Sequence, residues 1–494
     1  MDAPTAIEAG KFPPLTIPAN ERRAFYISFP NGAGLRYVKD GESRYANRDL
    51  VIYGNGVAKR KEWDGAVIYP RTFSGTLHYE TILDEQQPAN GVASTTTSSN
   101  SDYTIGVYYY PWHSRDFHGR QYLRGELEPP QLPALGEYDD TRPAVIAQHL
   151  NWSANANINL WVCSWWGPNK REDYAIKNVI MPHSDLASSG VKIALFYETT
   201  SRLQIGKDKN YTAVNAYSDV QYMARTYFDD PNYLKIDGKP VLFVYLTRVL
   251  SNKGYLEEVT WLMRQAAMDN GGHELYIIGD EVFSRAPDNG HNYEPFDLLD
   301  GVTNYDVYGN LGRPDGYAGW NRFNDLVSRN RGWRKETRRH GDCAFVPGIS
   351  PGYNDRSVRG HRNHTALSRR LYPGAPEGSL FRASLEAAME LTDDSTGNMI
   401  MITSWNEWHE DTQIEPVVDM GKTDLPLDLT CHGEPCDDGL NYEAYGGLYL
   451  DILREVTSRA GSLGSIEGKE RIDWMDLLET DRPTFSPTKE FSTT

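Results

Sequence analysis

Three observations predict an α/β fold, a (β/α)8 TIM barrel preceded by a β-rich extension or small domain. Eight short apolar runs recur from Tyr103 onward, segments of helical spacing lie between them, and a carboxylate-rich stretch follows directly on the eighth run. Runs this short and this apolar suit parallel strands covered on both faces, whereas a sheet with one wet face would alternate apolar and polar residues. In a barrel built from such units the functional groups gather where strands end and βα loops begin.

Residues 1–22 carry Pro, Gly and charge with little periodicity and are expected to lack order. Over residues 23–92 the runs AFYISF, DLVIYG, GAVIYP and TLHYETI alternate apolar and polar positions between Gly, Asn and Asp turns, which predicts short β-strands. The small polar stretch 93–101, ASTTTSSNS, reads as a linker. A (β/α)8 barrel domain carrying the functional site is expected over 102–461. Its strand candidates are YTIGVYYY, INLWVCSW, VKIALFYE, KPVLFVYL, ELYIIGDE, LLDGVTNY, CAFVPGIS and NMIMITSW, with helical spacing at Pro143–Ala156 and Phe381–Leu391 among the intervening segments. The tail 462–494 is charged and ends in PTFSPTKEFSTT, too polar to bury a core.

Composition narrows the partners. With 50 Lys and Arg against 68 Asp and Glu, the net charge of −18 argues against nucleic acid or an anionic membrane surface. The 31 Tyr and 12 Trp suit carbohydrate surfaces, because aromatic rings offer flat apolar faces to pyranoses. No run reaches the ~18 apolar residues of a membrane span, and Met1–Pro14 shows no signal-peptide h-region. Of the four cysteines, Cys163 and Cys343 sit in strand-like runs and are expected as buried thiols. Cys431 and Cys436 flank a short turn and form the disulfide candidate, with two reduced thiols as the alternative. No metal-binding run, Gly-rich phosphate loop or GxSxG elbow is present, so no metal or other cofactor is expected.

The stretch WNEWHEDTQIEP, Trp405–Pro416, sets Glu407 and Glu410 three residues apart among aromatic rings. Glycosidic cleavage needs one carboxyl group to protonate the leaving oxygen and another to activate or supply the attacking group. The bland reading is a solvated acidic loop, since most carboxylates are exposed; interleaving with Trp405, Trp408 and His409 speaks against it. Tyr109, Tyr110, Trp112, Trp165, Trp166, Glu198, Glu281, Tyr305 and Tyr353 fall at predicted strand ends and join Trp405, Asn406 and His409 as substrate-binding candidates. A single aromatic residue at such a position is more often rim packing, so the case rests on convergence around Glu407 and Glu410.

Together with LPALGEYDD, PAVIAQHL, SWWGP and FVPGISPGYNDRSVR, that stretch resembles glycoside hydrolase family 99, the endo-α-1,2-mannosidases and endo-α-1,2-mannanases, over about Tyr103–Arg454. The resemblance implies a metal-independent barrel that cleaves inside an α-mannoside chain with retention of configuration. It places Glu407 as the base that takes the proton of the sugar's own 2-hydroxyl, giving a 1,2-anhydro sugar, and Glu410 as the acid/base. Tyr109, Tyr110 and Trp112 match its first-strand aromatic motif, Trp165 and Trp166 its second-strand aromatics, and Tyr305 a sixth-strand tyrosine. Asp411 stands in place of the usual glycine and Phe196 in place of a common histidine, departures expected to alter subsite specificity. The implied substrate is an N-glycan or α-mannan, and the implied setting the secretory-pathway lumen (Golgi) or the extracellular space, for a monomer. Alternatives are the same chemistry on an algal or cell-wall polysaccharide, or a glycan-binding protein that has lost turnover.

Overall fold

The structure, a computed structural model, describes residues 102–463 apart from 115–116, 128, 206–211, 288–293, 312–315, 360–363, 365, 419–429, 432–433 and 436–439, together with five strand segments between residues 37 and 73. The chain forms two compact units, 1–95 and 96–494. In the first, Tyr37–Val38 and Gly56–Lys59 pair antiparallel with Val67–Phe73, and Arg44–Ala46 pairs with Val51–Tyr53. The expectations for 1–22, the 93–101 linker, the tail beyond residue 463 and the Cys431–Cys436 bridge lie outside the described residues.

In the second unit every apolar run becomes a strand: β1 (Ile105–Tyr109), β2 (Leu160–Trp165), β3 (Lys192–Tyr197), β4 (Lys239–Val244), β5 (Tyr276–Asp280), β6 (Gly301–Thr303), β7 (Ala344–Phe345), β8 (Gly348–Ile349) and β9 (Ile400–Ile402). Neighbours pair in parallel from β1 through β7, β8 pairs with β9, and β9 returns to β1. β7 and β8 are the two halves of the single run CAFVPGIS, split at Pro347, whose ring nitrogen cannot donate to a ladder. The first half bonds β6 and the second bonds β9, with Val346 N donating to Val302 O at 2.9 Å and Met401 N to Pro347 O at 3.0 Å. Eight strand positions therefore close into a barrel. Helices cover it, among them α1 (Pro143–Asn155), α2 (Val214–Thr226), α3 (Leu256–Asp269), α4 (Gly319–His340), α5 (Ser379–Met389) and α6 (Leu448–Leu463).

Side chains along the strands alternate between two buried layers, as the pleat requires. Tyr108, Val162, Phe196, Phe243, Ile278, Val346 and Met401 form one cluster that fills the barrel interior. Their neighbours Tyr109, Trp161, Cys163, Tyr197, Leu242, Ile277 and Ile402 pack outward against the helices in a larger cluster. Cys163 and Cys343 are buried free thiols, and no helix among the described residues is long and apolar enough to cross a membrane.

Closure depends on a close backbone approach at Gly348, where an added Cβ would lie 2.1 Å from the carbonyl oxygen of Asn304. Backbone cannot yield as a flexible side-chain tip can. Gly348→Ala is expected to cost more than about 2 kcal/mol, read as a lowered midpoint in urea unfolding; an unchanged midpoint would mean that the ring tolerates opening between β6 and β8.

Candidate active site

The chain leaves β9 at the end of the barrel where all the parallel strands terminate, and the next residues are tied back to β1. Trp405 N donates to Tyr108 O at 2.8 Å, and the Asn406 amide takes the place of a further strand residue, accepting from Tyr110 N at 2.8 Å and donating to Tyr110 O at 3.0 Å. A single 3-10 turn follows, Trp408–Glu410, in which residues three apart eclipse. That geometry puts Glu407 and Glu410 on one side of the turn. Glu407 caps it: its Oε1 accepts from His409 N at 3.1 Å and lies 3.0 Å from His409 Nδ1.

The two carboxyl groups sit in unlike surroundings. Burial, and secondarily the charge of Glu407, hold the Glu410 carboxyl well above the ordinary carboxylate range, against the opposing pull of Arg359. Arg359 Nη2 is 3.6 Å from Glu410 Oε1, and the Tyr308 hydroxyl, which donates to Asp306 Oδ1 at 3.0 Å, lies 3.4 Å from Glu410 Oε2. The Glu410 side chain keeps 17% exposure, enough for a bound molecule to reach it. Across the mouth, burial pushes Glu198 up to about 8 despite the Ser164 hydroxyl donating to its Oε1 at 2.7 Å. Asp280 is pushed up to about 6 by burial, with Arg248 opposing. The Tyr110 and Tyr305 hydroxyls meet each other between the carboxyl groups. No group of three or more His, Cys, Asp or Glu among the described residues is arranged to hold a metal ion.

The structure brings together most of the predicted positions. Trp112, half-buried, has its ring 5.8 Å from His409, 4.5 Å from Tyr110 and 6.4 Å from Trp166, and Trp166 Nε1 donates to Ser164 Oγ at 2.9 Å. Tyr305 stacks on Phe196 at 5.4 Å, and Tyr353 stacks on Tyr308 at 3.7 Å beside Glu410.

Five predicted contacts take other roles. Tyr109, Trp165 and Trp405 are fully buried in the outer layer: Tyr109 stacks on Trp161 and bonds His149 at 2.9 Å, Trp165 donates to Asp173 at 2.9 Å, and Trp405 packs against His149. Each lies one residue off the inward-facing register. Glu281 is likewise turned outward, toward Thr247 and Glu294, and Asp280 occupies the interior position instead. Asn406 is spent on the backbone of Tyr110. The departure at Asp411 also resolves differently from expectation, because its carboxylate is buried against Arg124 and Arg369 and does not enter the mouth. Sequence reasoning missed Tyr308, Asp306, Arg359 and Arg248. Tyr308 and Asp306 follow Tyr305 within one turn, a signal that was present, whereas the arginines reach in from loops whose course no spacing reveals.

Glu198 gives a pH dependence with a definite sign. A carboxyl whose folded-state pKa is raised stabilises the fold fully below the ordinary carboxylate pKa and loses that contribution as pH rises through about 8. Glu198→Gln, which stays neutral, should melt at a higher temperature than the wild type at pH 9 and lose that advantage at pH 5. Parallel melting curves across that range would remove the buried, protonated Glu198 from the description.

Comparison with known proteins agrees with the motifs. Residues 99–269 match the family model described as Glycosyl hydrolase family 99, and residues 199–427 match one described as Glycosyltransferase WbsX. A human glycoprotein endo-alpha-1,2-mannosidase-like protein is 24% identical over 348 residues, covering 67% of this chain and 66% of that protein. The rat glycoprotein endo-alpha-1,2-mannosidase is 22% identical over 392 residues, covering 72% and 73% respectively. The match thus spans about two thirds of the human relative's length. The solved GH99 endo-alpha-mannosidase of Bacteroides thetaiotaomicron superposes with a TM-score of 0.48 at 20% identity, over 72% of this chain and 98% of that one. The chain is thus similar to glycoside hydrolase family 99 over residues 99–269 and to endo-alpha-1,2-mannosidase relatives over about two thirds of its length, with the WNEWHEDTQIEP run at the barrel mouth.

Proposed function

We propose that the protein is a retaining, endo-acting glycoside hydrolase that cleaves internal α-1,2-mannosidic bonds in glycoprotein glycans or α-mannan. The observation that carries the reading is the pair Glu407 and Glu410, brought to one side of a single turn, with burial holding the Glu410 carboxyl well above the ordinary carboxylate range. Support for the substrate class comes from the relatives named as glycoprotein endo-α-1,2-mannosidases.

In the first step the Glu407 carboxylate takes the proton of the substrate's 2-hydroxyl. That oxygen attacks the anomeric carbon as the bond to the leaving oxygen breaks, and protonated Glu410 gives its proton to the leaving group. The product is a 1,2-anhydro sugar and a released oligosaccharide. In the second step Glu410, now a carboxylate, takes a proton from water; the water oxygen adds to the anomeric carbon as its bond to O2 breaks, and Glu407 returns its proton to O2. Two inversions give net retention. The burial that keeps Glu410 protonated suits it to act first as acid, and the His409 contacts hold Glu407 Oε1 in place for the base. The half-buried faces of Trp112 and Trp166 would stack on pyranose rings.

The match of residues 199–427 to a glycosyltransferase model favours a second reading, in which an acceptor sugar hydroxyl and not water opens the anhydro sugar. Proton NMR of the protein with an α-1,2-linked mannan oligosaccharide, with and without an added acceptor sugar, tests both. Shortened products of α-configuration support hydrolysis, products extended by the acceptor support transfer, and β-configured first products would overturn the mechanism. Glu407→Gln and Glu410→Gln should each lower kcat/KM by about 10²–10⁴ while oligosaccharide binding persists. The alkaline limb of the wild-type profile should report the raised Glu410, activity falling as pH rises through its pKa.

A further inference from the structure

Beside the acid lies a charge cluster that the chemistry above does not use. Asp411 follows Glu410 directly and has a left-handed backbone, φ 50°, a conformation that favours glycine. Its side chain is fully enclosed. Arg124 Nε donates to Asp411 Oδ1 at 2.5 Å, and Arg369 Nη2 donates both to that oxygen at 3.2 Å and to the Asp411 carbonyl at 2.9 Å. The two guanidinium groups are themselves enclosed, at 1% and 2% side-chain exposure, and lie over the Tyr445 ring at 5.0 and 4.9 Å. Arg124 also donates to Glu443 O at 3.1 Å, and Arg369 faces the Tyr449 ring. Four stretches of chain meet here: the loop after β1, the loop after β8, the turn carrying Glu410, and the segment leading into α6.

We infer that Asp411, held between Arg124 and Arg369, is a positioning residue that fixes the Glu410 turn and neutralises two buried cations which would otherwise act on that carboxyl. The inference rests on Glu410 being the acid/base. A glycine at this position would satisfy φ without strain, so the aspartate is kept against its backbone preference, and its carboxylate supplies what glycine lacks: a fixed attachment to three other segments. Other charged groups on the clamp are Glu377, which accepts from Tyr449 at 2.8 Å, and Arg370, paired with Glu443 at 2.8 Å. Those on Glu410 itself are Glu407, Arg359, Asp306 and Asp355. Tyr308, Tyr353, Tyr305 and Tyr110 also face that carboxyl and remain neutral, since each is held above the ordinary phenol range, first by burial. Removing the Asp411 charge alone leaves the two arginines with Glu377 as the remaining carboxyl group acting on them, and the added positive field favours the ionised form of Glu410.

The test uses the full chain with glutamate labelled at the side-chain carboxyl carbon, its Glu410 signal assigned by loss in Glu410→Gln. In Asp411→Asn the Glu410 titration midpoint should move to lower pH by on the order of half a unit or more, and kcat on α-1,2-linked mannan oligosaccharide should fall about tenfold or more with KM little changed. Arg369→Lys, which keeps the charge but not the paired donors, should lower kcat without moving the midpoint; it carries the test if Asp411→Asn does not fold. A midpoint and kcat unchanged in Asp411→Asn, or full kcat in Arg369→Lys, would overturn the clamp. Undiminished cleavage by Glu410→Gln would instead overturn the reading of Glu410, and the titration distinguishes the two because it needs no turnover.

Discussion

The carboxylate of Glu415 is the contact on which the barrel mouth depends. It is fully buried and accepts from three side chains, the Tyr138 hydroxyl at 2.9 Å, Trp408 Nε1 at 2.8 Å and His149 Nε2 at 3.0 Å. A carboxylate can only accept, so the His149 ring carries a proton on Nε2, and its other nitrogen meets the Tyr109 hydroxyl. In this way β1, α1, the loop after β1 and the turn before Glu410 are joined through one anion. Such a network is stable only when every member is satisfied; truncating one leaves a buried charge without its donors. The TQIEP end of the motif therefore holds the NEWHE part in place, which gives a physical reason for the two to occur as one run.

The eight runs marked the strands because a parallel barrel covers both faces of its sheet, which calls for short continuous apolar segments. For the same reason the runs did not reveal which residues point inward. In YYYPW every residue but Pro111 is aromatic, and nothing in the sequence distinguishes Tyr110, which meets Tyr305 in the interior, from Tyr109, which stacks on Trp161 beneath the helices. Trp165 against Trp166 and Glu281 against Asp280 are the same ambiguity, a register of one residue. The two glutamates were legible because both lie in one turn, where sequence distance and spatial distance agree. Arg359 and Tyr308 were not, since they come from the loops after β8 and β6 and meet Glu410 only through closure of the barrel.

The aromatic content was read as a carbohydrate surface, and most of it near the mouth serves another purpose. Tyr108, Phe196, Tyr245 and Tyr305 pack against one another in the interior, with ring centres 4.7–5.4 Å apart, and raise a dense floor beneath the carboxyl groups. That floor excludes water from below and accounts for the burial that shifts Glu198 and Asp280. Phe196, in place of a polar ring, extends the floor and offers a bound sugar no hydrogen bond from this position. Among the described residues, Trp112 and Trp166 keep part of their ring surface exposed.

The charge balance of the mouth then bears on what it accepts. Among the described residues, Glu198, Asp280, Asp306, Asp355, Glu407 and Glu410 face Arg248 and Arg359, and both arginines are already paired, Arg248 with Asp280 and Asp306, Arg359 with Asp355 and near Glu410. Neither of these two arginines is left over for a sulfate or a uronate. A polymer bearing such groups would meet repulsion from the ionised carboxylates without a compensating partner, and the desolvation of its own charge would add to that cost. A neutral sugar chain brings hydroxyl groups that donate to carboxylates and accept from Glu198 and Glu410, both raised by burial, so the same excess of acid that repels an anion can hydrogen-bond an uncharged glycan. Under the proposed function, the acidity of the mouth suits an uncharged glycan better than an anionic one.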